Sequence, residues 1–167
     1  MVISSNAQLE AILLNALKGA IDYCAEKAKT ALQDCIDNRG IGSGGSFYRP
    51  TGEFREAWET TKAQIVGKGV VADLHYEPSG MGWYPTLEKT YAHGTPPDND
   101  ARESLAEIIF QGLSGNALNL GVYQGIPRDA WEDLKHILDN ELDSWFAEGM
   151  MKQGFYSSSG AFSVSAN

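Results

Sequence analysis

Apolar side chains recur at spacings of three and four from Leu9 through Ile12, Leu13, Ala16, Ala20, Cys24, Ala28, Ala31 and Leu32 to Cys35. That rhythm is the signature of an amphipathic α-helix. Ser5, followed at the third position by Gln8, supplies a capping box to start it. The pattern predicts one helix over residues 5–38, about thirty residues long. Its stripe narrows to Ala and Cys in the second half, so another surface can approach closely there. Cys24 and Cys35 fall on nearly one face but about 16 Å apart along the axis, too far to bridge. They read as small apolar residues on a buried stripe, in keeping with a reducing compartment.

The glycines and serines of residues 40–46 end this helix in a loop. Next comes Tyr48-Arg49-Pro50-Thr51-Gly52-Glu53-Phe54-Arg55-Glu56-Ala57-Trp58. Pro50 pushes Arg49 into an extended conformation, and Thr51 is placed to cap a following helix. Gly52 adds no side chain at that turn, and Phe54, Ala57 and Trp58 share one helical face. A short helix over residues 51–61 is expected. Strands over 63–66 and 70–77 then flank the turn Gly67-Lys68-Gly69. In the second strand Val70, Ala72, Leu74 and Tyr76 point one way, and Val71, Asp73, His75 and Glu77 the other. Residues 78–100 shift to Pro, Gly, aromatic and polar residues without periodicity, as functional or disordered segments do.

Asp100 with Glu103 is a further capping box, opening a helix with Leu105, Ile108 and Ile109 inward and Gly112 near its end. Within residues 114–125, Leu118, Leu120 and Val122 alternate as in a weak strand. The last helix is capped by Asp129 and Glu132 and carries Trp131, Leu134, Leu138, Leu142, Trp145 and Phe146 on one stripe to about Met151. Gly154 ends it. In the Ser/Gly-rich tail, Ala161-Phe162-Ser163-Val164-Ser165 alternates like a strand, and Phe162 and Val164 are expected to add to a neighbouring subunit's edge. A length of 167 residues suits one domain. The expectation is a single α+β domain over residues 1–153, with the long N-terminal helix and further helices packed on one face of a small, mainly antiparallel sheet. Residues 154–167 form a tail able to serve as an inter-subunit arm.

Motifs of catalysis and metal binding are sparse. His75, His93 and His136 lie far apart on a strand, a loop and a helix, at no spacing that makes a local metal site. Neither a nucleophile elbow nor a phosphate loop is present. Acidic sets such as Asp98 with Asp100, or Asp139 with Glu141 and Asp143, read as caps and a solvated helix face. The aromatics say more: Trp58, Trp131 and Trp145 belong to helical stripes, whereas Trp83, Tyr84 and Tyr91, with His93, sit where they could anchor a partner. The net charge of −9, from 22 acidic against 13 basic residues, leaves no electrostatic footprint for gripping a phosphate backbone. Such a charge suits a wall past which DNA slides. No apolar run nears the roughly 18 residues that span a bilayer. The opening Met1-Val2-Ile3-Ser4-Ser5-Asn6 lacks the basic region and apolar core of a secretory signal, so a cytoplasmic protein is expected.

The order of these elements resembles the tail-completion and head-to-tail joining (neck) proteins of long-tailed double-stranded DNA bacteriophages. The resemblance rests on the long first helix, on Tyr48, Arg49, Thr51, Gly52, Phe54 and Trp58, and on the strands leading to Tyr76-Glu77-Pro78. It extends to Leu105-Ala106-Glu107-Ile108-Ile109-Phe110-Gln111-Gly112 and the closing helix after Pro127-Arg128-Asp129-Ala130-Trp131. It implies a structural virion protein without cofactor or catalysis, forming a homo-oligomeric ring, commonly sixfold, at the head-tail interface. The implied partners are other copies of the chain, connector or stopper proteins and tail tube proteins. DNA would pass through the ring without specific binding, no membrane is involved, and assembly occurs in the host bacterial cytoplasm. Tail completion, tail terminator and head-side connector all fit, and the chain departs from the pattern in carrying Pro50 and a longer Ser-rich tail. The alternative is a small ligand-binding or enzymatic cytoplasmic domain using the 78–100 loop around Trp83, His93 and Asp98, with a host-directed regulatory module as a third reading.

Overall fold

The computed structural model describes residues 5–41, 52–81, 85–86, 89–90, 94–95, 99–100, 106, 109–110, 129–158 and 161–164. Helix α1 spans Asn6–Asn38, 33 residues. Ser5 Oγ accepts the Gln8 N–H at 3.2 Å, the cap expected from the sequence. At the other end Gly40 takes φ 62°, its N–H bonds to Asp37 O at 2.9 Å, and the Ile41 N–H bonds to Ile36 O at 3.1 Å. These paired bonds, with Ile36 and Ile41 both buried, make a Schellman stop.

The remaining elements are α2 (Glu53–Glu56), β1 (Trp58–Thr60), β2 (Gln64–Val66), β3 (Gly69–Val71), β4 (Leu74–Tyr76), a 3-10 turn (Pro78–Gly80), β5 (Pro85–Thr86), β6 (Lys89–Thr90), β7 (Gly94–Thr95), β8 (Asn99–Asp100), α3 (Ala130–Lys152), β9 (Phe155–Ser158) and β10 (Ala161–Val164). The architecture is α+β, as expected, with the strands in two-stranded pairs: β1 with β4, β2 with β3, β5 with β6, β7 with β8 and β9 with β10. Ala106, Ile109 and Phe110 are helical, and Ile109 and Phe110 are buried.

Contacts within the chain divide it into two units, one of Met1–Lys29, Thr60–Leu74 and His136–Asn167, the other of Thr30–Glu59 and His75–Lys135. In the first unit small residues set the packing. Ala16, Ala20, Met150 and Phe155 form its core, flanked by Ile12, Leu17 and Phe146. A Cβ placed on Gly149 would stand 2.9 Å from Ala20 Cα, so only glycine allows α3 this close to α1. Around it, the Lys152 ammonium lies 3.9 Å from the centre of the Tyr23 ring, a cation–π contact, and Tyr23 is hydrogen-bonded to Glu148.

The long hairpin from β1 to β4 changes register once. Thr61 N–H bonds to Asp73 O at 2.9 Å, whereas Gln64 is opposite Val71. Between those pairs Lys62 and Ala63 together face Ala72 alone, the count of a β-bulge. The ladder therefore breaks there, and Asp22 Oδ1 on α1 takes the orphaned Ala63 N–H at 2.7 Å. This corrects the expected single strand over residues 70–77, which is two strands, β3 and β4.

A further expectation is corrected. The helix predicted over 51–61 is one turn, Glu53–Glu56, preceded by Gly52 at φ 80° with no side-chain cap; Trp58 opens a strand rather than extending the helix. Pairing with Leu74–Tyr76 outweighs the weak helical signal, in line with the β preference of Trp and Thr. Asp100 lies in β8, and the start of the helix expected after it lies outside the described residues. Ala161–Val164 is a strand, as the alternation predicts, and it pairs with β9 of its own chain: Ala161 faces Ser158 and Val164 faces Phe155. The strand reading for 114–125 lies outside the described residues.

Candidate functional site

The motif around Phe54 builds an aromatic knot in the second unit. The single turn of α2 aims Phe54 inward, and β1 brings Trp58 beside it, with ring centroids 6.2 Å apart and nearly perpendicular. Tyr76, from the paired strand, lies 5.3 Å from Trp58. Phe110 and Trp131 stack on Trp58, each at 5.6 Å. Four rings thus surround one indole, each pair adding about 0.5–1.5 kcal/mol beyond the area it buries. Trp58 is 5% exposed, and its indole N–H has no hydrogen-bond partner among the described residues. That orphaned donor costs about 1–3 kcal/mol. The packing gain exceeds this loss, so Trp58 acts as a structural anchor.

Charged residues bracket the knot. The Arg39 guanidinium forks onto both Asp133 oxygens at 2.5 and 2.6 Å, and that hydrogen bonding raises its pKa above the ordinary value. Arg55 bonds Asp37 at 2.9 Å and its neighbour Glu56 at 2.5 Å. Buried Gln33 gives its Nε2 to Arg55 O at 3.3 Å and Glu56 Oε2 at 3.4 Å. The segment containing α2 is thereby tied to the end of α1 by side chains as well as by the knot. Cys24 and Cys35 are free and buried, and burial pushes both thiols above their ordinary value.

A different surface emerges at the tip of the β2–β3 hairpin, beyond the bulge. Ile65 faces Val70, and Gln64 faces Val71, which places Val66 and Val71 on one side and Ile65 on the other. Ile65 is 46% exposed, Val66 60% and Val71 48%. Among the described residues the hairpin has no third strand, so both outer edges offer backbone groups for pairing. Two-stranded hairpins are marginal alone in water. The tip is therefore a surface suited to being covered.

Of the residues singled out from sequence, Phe54 and Trp58 meet in the knot, and Gly52 supplies the left-handed turn leading into it. Tyr48, Arg49, Thr51, Trp83, Tyr84, Tyr91 and His93 lie outside the described residues. Phe162 and Val164 lie on β10, opposite Ser157 and Phe155. His75 is half-buried on β4 and His136 exposed on α3. Among the described residues no group of three or more His, Cys, Asp or Glu could hold a metal ion, and no helix is long and apolar enough to cross a membrane. Sequence reasoning missed the hairpin tip because Ile65, Val66 and Val71 read as ordinary strand residues. The only available signal was the apolar character of both strand faces around a turn containing Lys68. Tested against known protein families, curated protein sequences and solved structures, the chain matches none of them.

Proposed function

We propose that this chain is a structural virion protein of a tailed phage, forming a ring at the head-tail interface that joins tail to head and leaves a channel for DNA. The observation that carries the self-assembling part is the β2–β3 tip, with exposed apolar side chains on both faces and, among the described residues, no third strand on either edge. A lone subunit keeps such a surface at a cost in solubility, and a neighbour relieves it. The motif around Trp58 supports the same reading as a rigid structural element: its aromatic groups are spent on packing one another. The head-tail location rests on the resemblance in element order, and the acidic balance of the chain suits a wall that lets DNA slide. Negative-stain images of the concentrated protein test the proposal. Annular particles with a central hole are the expected result; particles without a hole at every concentration would count against it.

A further inference from the structure

We infer that neighbouring subunits join head to tail, the β2–β3 hairpin tip of one copy seating on the exposed middle of α3 of the next. This deepens the ring reading and rests on it for closure, while the contact itself stands on two unpartnered surfaces of the first unit.

The receiving surface is residues 139–144, all exposed in the middle of α3. Leu142 belongs to the apolar stripe of that helix, yet it is 44% exposed, whereas Leu134 and Met150 on either side are buried. Its nearer neighbours on the stripe, Leu138, Trp145 and Phe146, are half-buried, so Leu142 is the exposed apolar point of this part of the helix. Asp139, Glu141 and Asp143 surround Leu142 with negative charge and no basic residue intervenes. The hairpin is its complement: Val66 and Val71 form an apolar face, and residues 60–72 contain Lys62 and Lys68 but no acidic residue. All five charged side chains are exposed, and none forms an ion pair among the described residues. In a chain of net charge −9, a basic apolar tip is a patch that a like-charged copy attracts rather than repels. The two patches differ, so the contact is heterologous and can propagate from copy to copy until it closes.

Charge reversal tests the contact on the full chain, with mass read by light scattering in 50 mM salt, where surface charge is weakly screened. The double variants K62E/K68E and D139K/E141K should each lose self-association by at least tenfold while keeping their circular dichroism. Mixed at equal concentration they should assemble again, because each junction regains opposite charges; this recovery excludes misfolding as the cause. If both variants assemble as the wild type does, the contact is overturned while a ring remains. A wild-type dimer, lost in each variant and restored in the mixture, supports the contact and overturns the ring. A wild-type chain that stays monomeric overturns both.

Discussion

The Trp58 ring joins those of Phe54, Tyr76, Phe110 and Trp131, while its N–H has no partner among the described residues. Trp58→Ala should therefore cost about 3–5 kcal/mol in chemical denaturation. Trp58→Phe should cost clearly less, because it removes the orphaned donor along with part of the ring. Equal losses for both would mean that the indole N–H is satisfied in solution. Glu148 gives a second test at this scale. Its hydrogen bond with Tyr23, helped by Lys152 and Lys27, holds its carboxyl below the ordinary value of 4.5. A carboxyl depressed in the folded state stabilises the fold above that ordinary value, and the gain is lost as pH falls through the folded value. Glu148→Gln should thus lower the urea midpoint at pH 7 and leave it nearly unchanged near pH 3; a drop of the same size at both would rule out the charge as the source.

Among the elements, α1 and α3 meet through Gly149 and Ala20. Gly149→Val puts side-chain atoms into the Ala20 backbone and should destabilise by about 1–3 kcal/mol, read as a lower thermal midpoint. The β9–β10 hairpin makes a contrasting prediction. Because β10 completes a ladder whose first strand carries core residue Phe155, removing residues 160–167 should cost about 1–3 kcal/mol of stability. An unchanged melting curve would show that the strand contributes nothing to its own fold. These elements also show what a sequence reveals. Both long helices were legible with their caps at Ser5 and Asp129, because periodicity and capping are local. The one-turn length of α2 and the bulge at Lys62 and Ala63 were not, since both depend on which strands pair across the hairpin. The stripe that holds Leu142 is visible in sequence, whereas its exposure is not. In the candidate site, spacing puts Phe54 and Trp58 on one face; that Tyr76, Phe110 and Trp131 meet them follows from tertiary packing that spacing does not encode.

At the scale of the molecule, an acidic chain carries two helices tied at small residues and, among the described residues, strands in two-stranded pairs. Exposed Val66 and Val71 on the hairpin and exposed Leu142 on α3 are the surfaces that, under the proposal, copies of the chain cover for one another. The most direct test is the mass of the purified protein in solution by light scattering, from micromolar to millimolar concentration. The expected result is a closed multiple of the 18.2 kDa chain that forms as concentration rises and keeps one size thereafter, as closed symmetry requires. A mass of 18.2 kDa at every concentration would contradict it.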